Sequence, residues 1–275
     1  MSSLLFASTS GEADSTATLP SLDHLLMADY DNVYEPSEDT YLMCDALYND
    51  RAELRSMGCS LVLEIGCGSG CNITYLASLL ADSPTKDTGA SSADATPNPA
   101  LTTTTAATDN ADRQACLALA TDINPFAIDA TQRTAIANNV TVECILTDLV
   151  TGLEGRLAGK VDVLLFNPPY VPTDDEEVGS ADIAAAWAGG LRGRRVIDRW
   201  LPLLPGLLSP PRAASAAATA AAGASQGGRC YLVLVEENDP AEIAAYAATQ
   251  GMAAQTVLRR KARNEALQIM RIQWR

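Results

Sequence analysis

The tetrad Asn167-Pro168-Pro169-Tyr170 is the most chemically distinctive stretch of the sequence, and it follows an apolar run, Val161–Phe166, that predicts a buried strand. Two prolines fix the turn and remove two backbone N–H donors, so the tetrad presents carbonyl oxygens and one side-chain amide. Open α/β sheets bind ligands at the carboxyl ends of their strands. The tetrad therefore predicts a rigid set of hydrogen-bond acceptors at a ligand site.

Two such acceptors suit a reaction at a planar nitrogen, whose delocalised lone pair makes it a poor nucleophile. The side-chain oxygen of Asn167 and the carbonyl of Pro168 are the predicted acceptors. By gripping both N–H bonds they orient the nitrogen toward an incoming methyl group, and the proton leaves after attack. Tyr170 is predicted to wall the pocket or to stack on a planar substrate, with ordinary loop packing as the alternative.

A glycine loop, Glu64–Gly70, follows the apolar run Leu61–Ile65 and opens a predicted helix. Its glycines are Gly66, Gly68 and Gly70. Glycine lets the backbone turn sharply and aim amides at a ligand, although a tight turn without a ligand is the alternative. The G-x-G-x-G spacing is not the pyrophosphate fingerprint, and the acid Glu64 suits a cation. The loop therefore favours a cationic nucleoside such as S-adenosylmethionine over NAD.

Asp122 is the predicted ribose-binding acid, which such folds place at the end of the next strand, about 20 residues after the glycine loop. It lies 52 residues after Gly70, and leaving out the 33 residues of segment 82–114 reduces the separation to 19. The alternative for Asp122 is a helix cap before Pro125, for which Asn124 is better placed.

Asp148 follows the third predicted strand and is a third acid at the same rim. It is predicted to accept the adenine amino group, with a solvated turn as the alternative. The segment Tyr34–Thr40 is predicted to fold over the cofactor as a lid. Its alternative is a helix cap, since Ser37 and Thr40 have the spacing of a capping box.

These residues need a sheet to position them, and the chain alternates strands with helices once two segments are set aside. Segments 82–114 and 209–228 are poor in large apolar residues and cannot offset their ordering entropy, so both are predicted surface insertions. Residues 1–29 are a predicted mobile tail, and residues 30–275 a predicted single domain.

The alternation predicts one α/β domain with a doubly wound, seven-stranded, mostly parallel sheet that ends in an antiparallel hairpin. The predicted strands are Leu61–Ile65, Cys116–Ala120, Val142–Leu146, Val161–Phe166, Cys230–Val235, Ala254–Leu258 and Ala266–Gln273. The predicted helices are Cys71–Leu80, Pro125–Asn139, Arg194–Leu208 at least as far as Pro202, and Pro240–Thr249.

Composition argues against several functional classes. The 275 residues carry 34 acidic and 19 basic side chains, and a net charge of −15 disfavours tight binding to nucleic acid. Seven cysteines without a Cys-x-x-Cys pair predict reduced thiols, and the single histidine, His24, gives little basis for a triad or a metal site. There is no cationic leader and no apolar run of about 18 residues, so we expect no membrane span and a cytoplasmic or nuclear protein.

The ordered motifs resemble those of the HemK-like glutamine methyltransferases, which are class I S-adenosylmethionine-dependent enzymes, and most of all their eukaryotic and archaeal branch. The resemblance spans about residues 30–275 apart from the two insertions. The motifs are Val33–Thr40, Glu64–Gly70, Thr121–Pro125, Thr147–Leu149, Asn167–Tyr170, Ala186–Gly190 and Val196–Arg199.

The resemblance implies a Rossmann-like fold and N5-methylation of the glutamine in the Gly-Gly-Gln motif of the class 1 translation termination factor. The implied contacts to S-adenosylmethionine are Thr40, Glu64, Gly66, Gly68, Gly70, Asp122, Asp148, Leu149 and Asn167. The implied substrate clamp is Asn167, Pro168, Pro169 and Tyr170. It also implies a small zinc-binding activator subunit as partner, with the zinc in the partner and no metal site in this chain.

Other functions are left open by the residues themselves. DNA adenine N6-methylation would use the same clamp, but the acidic charge and the lack of a basic groove argue against it. Lysine methylation requires the ammonium to lose a proton first, and no suitable base accompanies the tetrad. A scaffold that binds the cofactor without activity is the third alternative.

Overall fold

The structure, a computed structural model, describes residues 18–81, 116–173, 188–211, 227–262 and 265–275. Its centre is a seven-stranded sheet. The strands are β1 Leu61–Ile65, β2 Leu117–Asp122, β3 Glu143–Leu146, β4 Val163–Phe166, β5 Arg229–Leu234, β6 Met252–Ala262 and β7 Glu265–Trp274. Their spatial order is β3-β2-β1-β4-β5-β7-β6. Strands β1 to β5 pair in parallel, and β7 lies antiparallel between β5 and β6. The predicted fold class is therefore confirmed.

Helices cover both faces of this sheet. They are α1 Glu38–Asn49, α2 Arg51–Ser56, α3 Cys71–Ala81, α4 Pro125–Ala137, α5 Glu154–Leu157, α6 Arg195–Trp200, α7 Leu204–Leu207 and α8 Pro240–Thr249. One core cluster joins β1 to α1 and α3 through side chains such as Leu42 and Leu76. The other joins the opposite face to α6 and α8 through Trp200 and Ile243. Because both faces are covered, the central strands are buried along their whole length.

The observed helices and strands differ from the predicted ones in one helix break, in the length of the hairpin strands and in two additional short helices. The helix predicted over Arg194–Leu208 ends at Trp200, and a 3-10 turn at Leu201–Leu203 separates it from α7. Pro202 and Pro205 lack the N–H that a continuous helix would need, which explains the break. The hairpin strands are longer than predicted, and the short helices α2 and α5 were not predicted.

Residues 18–33 form an N-terminal strap that packs on α4. Leu25 and Val33 are buried with Ala130 of α4, and Asp29 forms an ion pair of 2.5 Å with Arg133. His24 Nε2 lies 3.0 Å from Thr134 Oγ1. The part of the predicted tail that the structure describes thus contacts the domain.

Three predicted segments lie wholly or partly outside the described residues. Segment 82–114 is outside them, as are residues 1–17 and most of 209–228. The two ends of the second insertion meet, since the Gly228 amide donates to the Ser209 carbonyl over 2.7 Å. No helix in the described part of the chain is long and apolar enough to span a membrane.

Substitution of Gly70 tests how tightly the glycine loop packs on α4. Its φ is +78°, and a Cβ placed there would lie 2.8 Å from the Thr131 Cα. We expect Gly70→Ala to lower the free energy of unfolding by about 2 kcal/mol or more, because left-handed strain and overpacking add. Gly58→Ala is the control, since its φ is +61° with no described atom within 4 Å, and should cost about 1 kcal/mol. If urea denaturation showed the same loss of unfolding free energy for both variants, the close contact between Gly70 and Thr131 would be contradicted.

Candidate functional site

The register of the sheet brings the predicted motifs to one edge. Ile65 of β1 pairs with Thr121 of β2 and with Phe166 of β4, so the residues that follow these three leave the sheet side by side. The Gly66 amide donates to the Thr121 carbonyl over 2.8 Å, and a Cβ on Gly66 would lie 3.9 Å from the Asn167 carbonyl oxygen. The glycine loop and the tetrad therefore border the same site.

The glycine loop is tied to Asp122. The Gly68 amide donates to Asp122 Oδ2 over 3.0 Å, and the Asn124 amide donates to Oδ1 over 2.9 Å. Burial raises the pKa of the Asp122 carboxyl, although these backbone amides oppose the shift. A Cβ on Gly68 would meet no described atom within 4 Å, so the loop faces open space beside this carboxylate. Asn124 caps α4 by accepting from the Phe126 amide over 3.0 Å. Asp122 is therefore not the cap of this helix.

The Glu64 side chain lies against the start of α3. Its side chain is 2% exposed, and Oε2 accepts a hydrogen bond of 2.9 Å from the Ile73 amide in the first turn of α3. Burial raises the pKa of Glu64 well above its usual range, although the Ile73 amide opposes the shift. This carboxyl therefore joins β1 to α3, and its contact with a cofactor cation stays a prediction.

Asp148 and Leu149 lie at the same rim, beyond β3. The Thr147 amide donates to the Asp122 carbonyl over 2.9 Å, which places the turn next to Asp122. Asp148 forms an ion pair of 2.5 Å with Arg199 of α6, and Leu149 adopts a φ of +54°. The Arg199 guanidinium of α6 thus holds the Asp148 carboxylate in place.

Thr40 stands in the first turn of α1, where the predicted capping box is present. The Ser37 amide donates to Thr40 Oγ1 over 3.3 Å. Thr40 is buried. The capping alternative is therefore confirmed, while the lid and the cofactor contact of Thr40 stay predictions.

The tetrad is bound to a residue that the sequence reasoning missed, Asp39. Asn167 Nδ2 donates to Asp39 Oδ2 over 3.0 Å, and the Tyr170 hydroxyl donates to the same oxygen over 3.2 Å. Asp39 is 2% exposed. With its donor end bound, the Asn167 amide keeps a buried Oδ1 that has no hydrogen-bond partner among the described residues. The signal is the Val33–Thr40 motif, which contains Asp39 but for which the sequence predicts only a helix-capping or a cofactor role.

A second missed residue, Asn238, supports the tetrad from the other side. It is fully buried at 0% exposure, and Nδ2 donates to the carbonyls of Tyr170 over 2.8 Å and Arg192 over 2.9 Å. Its Oδ1 accepts from the Val235 amide over 2.8 Å, so the loop is fastened to the end of β5. Nothing in the spacing of the sequence connects residue 238 with the tetrad.

The described part of the predicted motif Ala186–Gly190, residues 188–190, packs against the tetrad. The Gly189 amide donates to the Val171 carbonyl over 2.8 Å, and a Cβ on Gly189 would lie 2.5 Å from the Pro169 carbonyl oxygen. Trp187 lies outside the described residues. The Tyr170 ring is buried in the core, so its hydroxyl supports Asp39, and stacking on a substrate stays a prediction.

The donor set fits S-adenosylmethionine. An open cradle at Gly68 stands beside a carboxylate that still has lone pairs for ribose hydroxyls, and the unpartnered Asn167 Oδ1 lies at the same edge. A mostly parallel seven-stranded sheet with this loop after β1, an acid after β2 and an Asn-Pro-Pro-Tyr turn after β4 defines a class I S-adenosylmethionine-dependent methyltransferase.

Comparison with known proteins identifies the family within this class of methyltransferases. The chain is 41% identical over 252 residues to the mouse protein named methyltransferase HEMK2, covering 92% of this chain and 94% of that protein. It is 33% identical over 264 residues to the fission yeast eRF1 methyltransferase catalytic subunit mtq2, and the match covers 92% of this chain and 94% of that protein. No protein-family model matches the chain. The chain belongs to the family of HEMK2 and eRF1 methyltransferase catalytic subunits.

A solved structure agrees with this assignment. The Encephalitozoon cuniculi Mtq2–Trm112 complex, described as responsible for methylation of the eRF1 translation termination factor, superposes with a TM-score of 0.51. Identity is 25%, and the match covers 88% of this chain and 99% of that chain. The resemblance to HemK-like methyltransferases is therefore confirmed, as is S-adenosylmethionine as the cofactor.

Glu64 gives the site a measurable pH dependence. The pKa of Glu64 in the folded state is raised above its ordinary 4.5. At pH values between the ordinary and the raised pKa, the native state therefore binds more protons than the unfolded state. Stability from this group is therefore lost as the pH rises through that window. Glu64→Gln keeps an acceptor for Ile73 but does not titrate, so its melting temperature relative to the wild type should increase from pH 5 to pH 8. A difference that does not change with pH would contradict the buried carboxyl.

Proposed function

We propose that this chain is the catalytic subunit of an enzyme that methylates the side-chain amide nitrogen of the glutamine in the Gly-Gly-Gln motif of a class 1 translation termination factor. The observation that carries the proposal is the buried, unpartnered Oδ1 of Asn167, whose amide donor end is already bound to Asp39. A buried acceptor without a partner is costly, which supports its being completed by a donor from the substrate.

The clamp suits a primary amide because it offers acceptors and no base. Asn167 Oδ1 accepts one N–H of the glutamine amide and the Pro168 carbonyl accepts the other, so the nitrogen is oriented with its lone pair toward the cofactor side. No hydrogen bond to the Pro168 carbonyl is found among the described residues, which leaves it available. The nitrogen carries a positive charge once it is methylated and then releases a proton to solvent.

The cofactor is held by residues at the adjoining edge. When bound, S-adenosylmethionine supplies the methyl group from its sulfonium and keeps the electron pair of the broken carbon–sulfur bond. Asp122 is proposed to accept from the ribose hydroxyls, and the backbone of Gly66, Gly68 and Gly70 to line the methionine side. Asp148 and Leu149 are proposed to border the adenine. Thr40 and Glu64 are proposed to contact the cofactor from the start of α1 and the end of β1.

The substrate class is supported by the names of the relatives, two of which refer to eRF1. We propose a cytoplasmic location, which action on a termination factor supports, and a nuclear pool as a further prediction. The net charge of −15 gives no support to the alternative of methylating adenine in DNA.

Asn167→Ala tests the clamp directly. In the complex with its partner subunit, we expect kcat for a Gly-Gly-Gln peptide or the whole factor to fall on the order of 100-fold or more, as for other preorganised polar groups. The dissociation constant for S-adenosylmethionine should change much less. Asn49→Ala, at an exposed position that ends α1, is the matched control and should leave transfer unchanged. Mass spectrometry of the glutamine measures the product, and undiminished transfer by Asn167→Ala would remove the clamp mechanism.

A partner subunit is proposed to bind at β3, the edge strand beside β2. Edge strands present unpaired backbone groups to another chain. Five of the ten large apolar side chains exposed in the described part of the chain lie on β2, β3, α4 and the β2–α4 connection. They are Leu117, Ile123, Phe126, Ile136 and Leu146. The partner is proposed to be a small zinc-binding activator that supplies its own metal ligands.

Leu146→Asp tests this surface, because it places a charge at the end of β3 on a side chain that is 55% exposed. We expect the affinity for the partner subunit to fall at least tenfold in isothermal titration or co-purification, since charge is depleted from interface cores. Leu191→Asp is the control, at a side chain that is 74% exposed in the 3-10 turn Leu191–Gly193, which packs beside Asn238 after β5. Equal effects of the two variants would contradict a partner surface at β3.

A further inference from the structure

We propose that Asp39 is a positioning residue for methyl transfer: its carboxylate decides which atom of the Asn167 amide faces the substrate and strengthens that atom as an acceptor. The inference rests on the proposed function, since it takes Asn167 as part of the substrate clamp. Asp39 itself touches neither substrate nor cofactor and acts through Asn167.

The first step is the geometry of the contact. A carboxylate has only acceptor sites, whereas an asparagine amide has a donor end and an acceptor end. The two side chains lie 3.0 Å apart, from Asn167 Nδ2 to Asp39 Oδ2. The opposite orientation would bring the amide oxygen against the carboxylate oxygen. Asp39 therefore holds the amide with Oδ1 on the substrate side.

The second step is what the other orientation would do to the substrate. If Nδ2 faced the pocket, its N–H groups would meet the N–H groups of the glutamine amide, and donor would face donor. The clamp would then repel the nitrogen that it has to orient. The contact with Asp39 disfavours this state, so only a small fraction of the enzyme is held in an unproductive form.

The third step concerns charge. The substrate nitrogen becomes positive as the methyl group is transferred, and the acceptor on its N–H must stabilise that charge. A hydrogen bond from Nδ2 to a buried carboxylate polarises the amide and increases the negative charge on Oδ1. Asp39 is 2% exposed, so solvent screens this effect little. The carboxylate thus contributes more in the transition state than in the ground state.

The fourth step is how Asp39 itself is held. Its Oδ1 accepts from the Thr40 amide over 2.7 Å, and the Tyr34 hydroxyl lies 3.3 Å from Oδ1 and 3.2 Å from Oδ2. The Thr40 hydroxyl also donates to Oδ1 over 3.3 Å, and the Tyr170 hydroxyl donates to Oδ2 over 3.2 Å. Donors from three directions fix the carboxylate at the start of α1, so the orientation of Asn167 is set before any substrate arrives.

The test uses the complex of this chain with its partner subunit and compares Asp39→Asn with Asp45→Asn. Asp45 lies on the same helix and pairs with Arg260 on the surface, so its variant controls for the change of residue. We expect Asp39→Asn to lower kcat for a Gly-Gly-Gln peptide on the order of 10- to 100-fold, because a charge-assisted contact is lost. The peptide KM and the dissociation constant for S-adenosylmethionine should stay close to those of Asp45→Asn, whereas the melting temperature should fall further because Asp39 is a buried acceptor for several donors.

A double-mutant cycle with Asn167→Ala separates positioning from a merely structural role. If Asp39 acts through Asn167, the double variant is no slower than Asn167→Ala alone. Losses that multiply would show that Asp39 acts independently and would overturn the proposal, as would an Asp39→Asn variant with wild-type kcat.

A substrate-free measurement keeps the proposal testable should Asp39→Asn not fold or the peptide not be a substrate. The side-chain amide protons of Asn167, followed by ¹⁵N NMR, should include one that is strongly protected from solvent exchange by the bond to Asp39. Two rapidly exchanging protons would overturn the proposal. Failure of the wild-type complex to methylate the peptide, with this protection present, would instead contradict the proposed function alone.

Discussion

Strand β1 pairs in parallel with both β2 and β4, and the rest of the site depends on this pairing. Because Ile65 is in register with Thr121 and with Phe166, the glycine loop, the acid Asp122 and the amide of Asn167 leave the sheet at neighbouring points. Backbone hydrogen bonds between these strands bring residues that are far apart in the chain into one site. The two core layers hold this register, since any slip of a strand would move its buried side chains out of their layer.

Around that edge, the site is supported by buried polar contacts rather than by exposed charge. Asp39 and Asn238 fasten the tetrad from two directions, and Glu64 fastens β1 to α3. Each of these side chains is almost or entirely buried. Buried hydrogen bonds are rigid because leaving a partner unsatisfied is expensive. This rigidity suits a reaction in which orientation of a weak nucleophile lowers the barrier more than proton transfer does.

Much of the fold was predictable from sequence, because apolar runs and glycine or proline positions are local signals. The succession of strands along the chain, the helix at Pro125 and the place of Asp122 at the end of β2 follow from such signals. The supporting contacts do not, because they depend on which distant side chains meet. Asp39 and Asn238 act on a loop about 130 and 70 residues away in sequence, and no spacing rule connects them. The direction of the Glu64 side chain likewise depends on the packing of α3, which a strand-end pattern does not specify.

The most direct measurement is a crystal structure of the complex with a demethylated cofactor and a Gly-Gly-Gln peptide. The account predicts that the glutamine nitrogen lies about 3 Å from Asn167 Oδ1, while Nδ2 stays on Asp39. A glutamine amide bound elsewhere, or an Asn167 side chain turned so that Nδ2 faces the peptide, would contradict it.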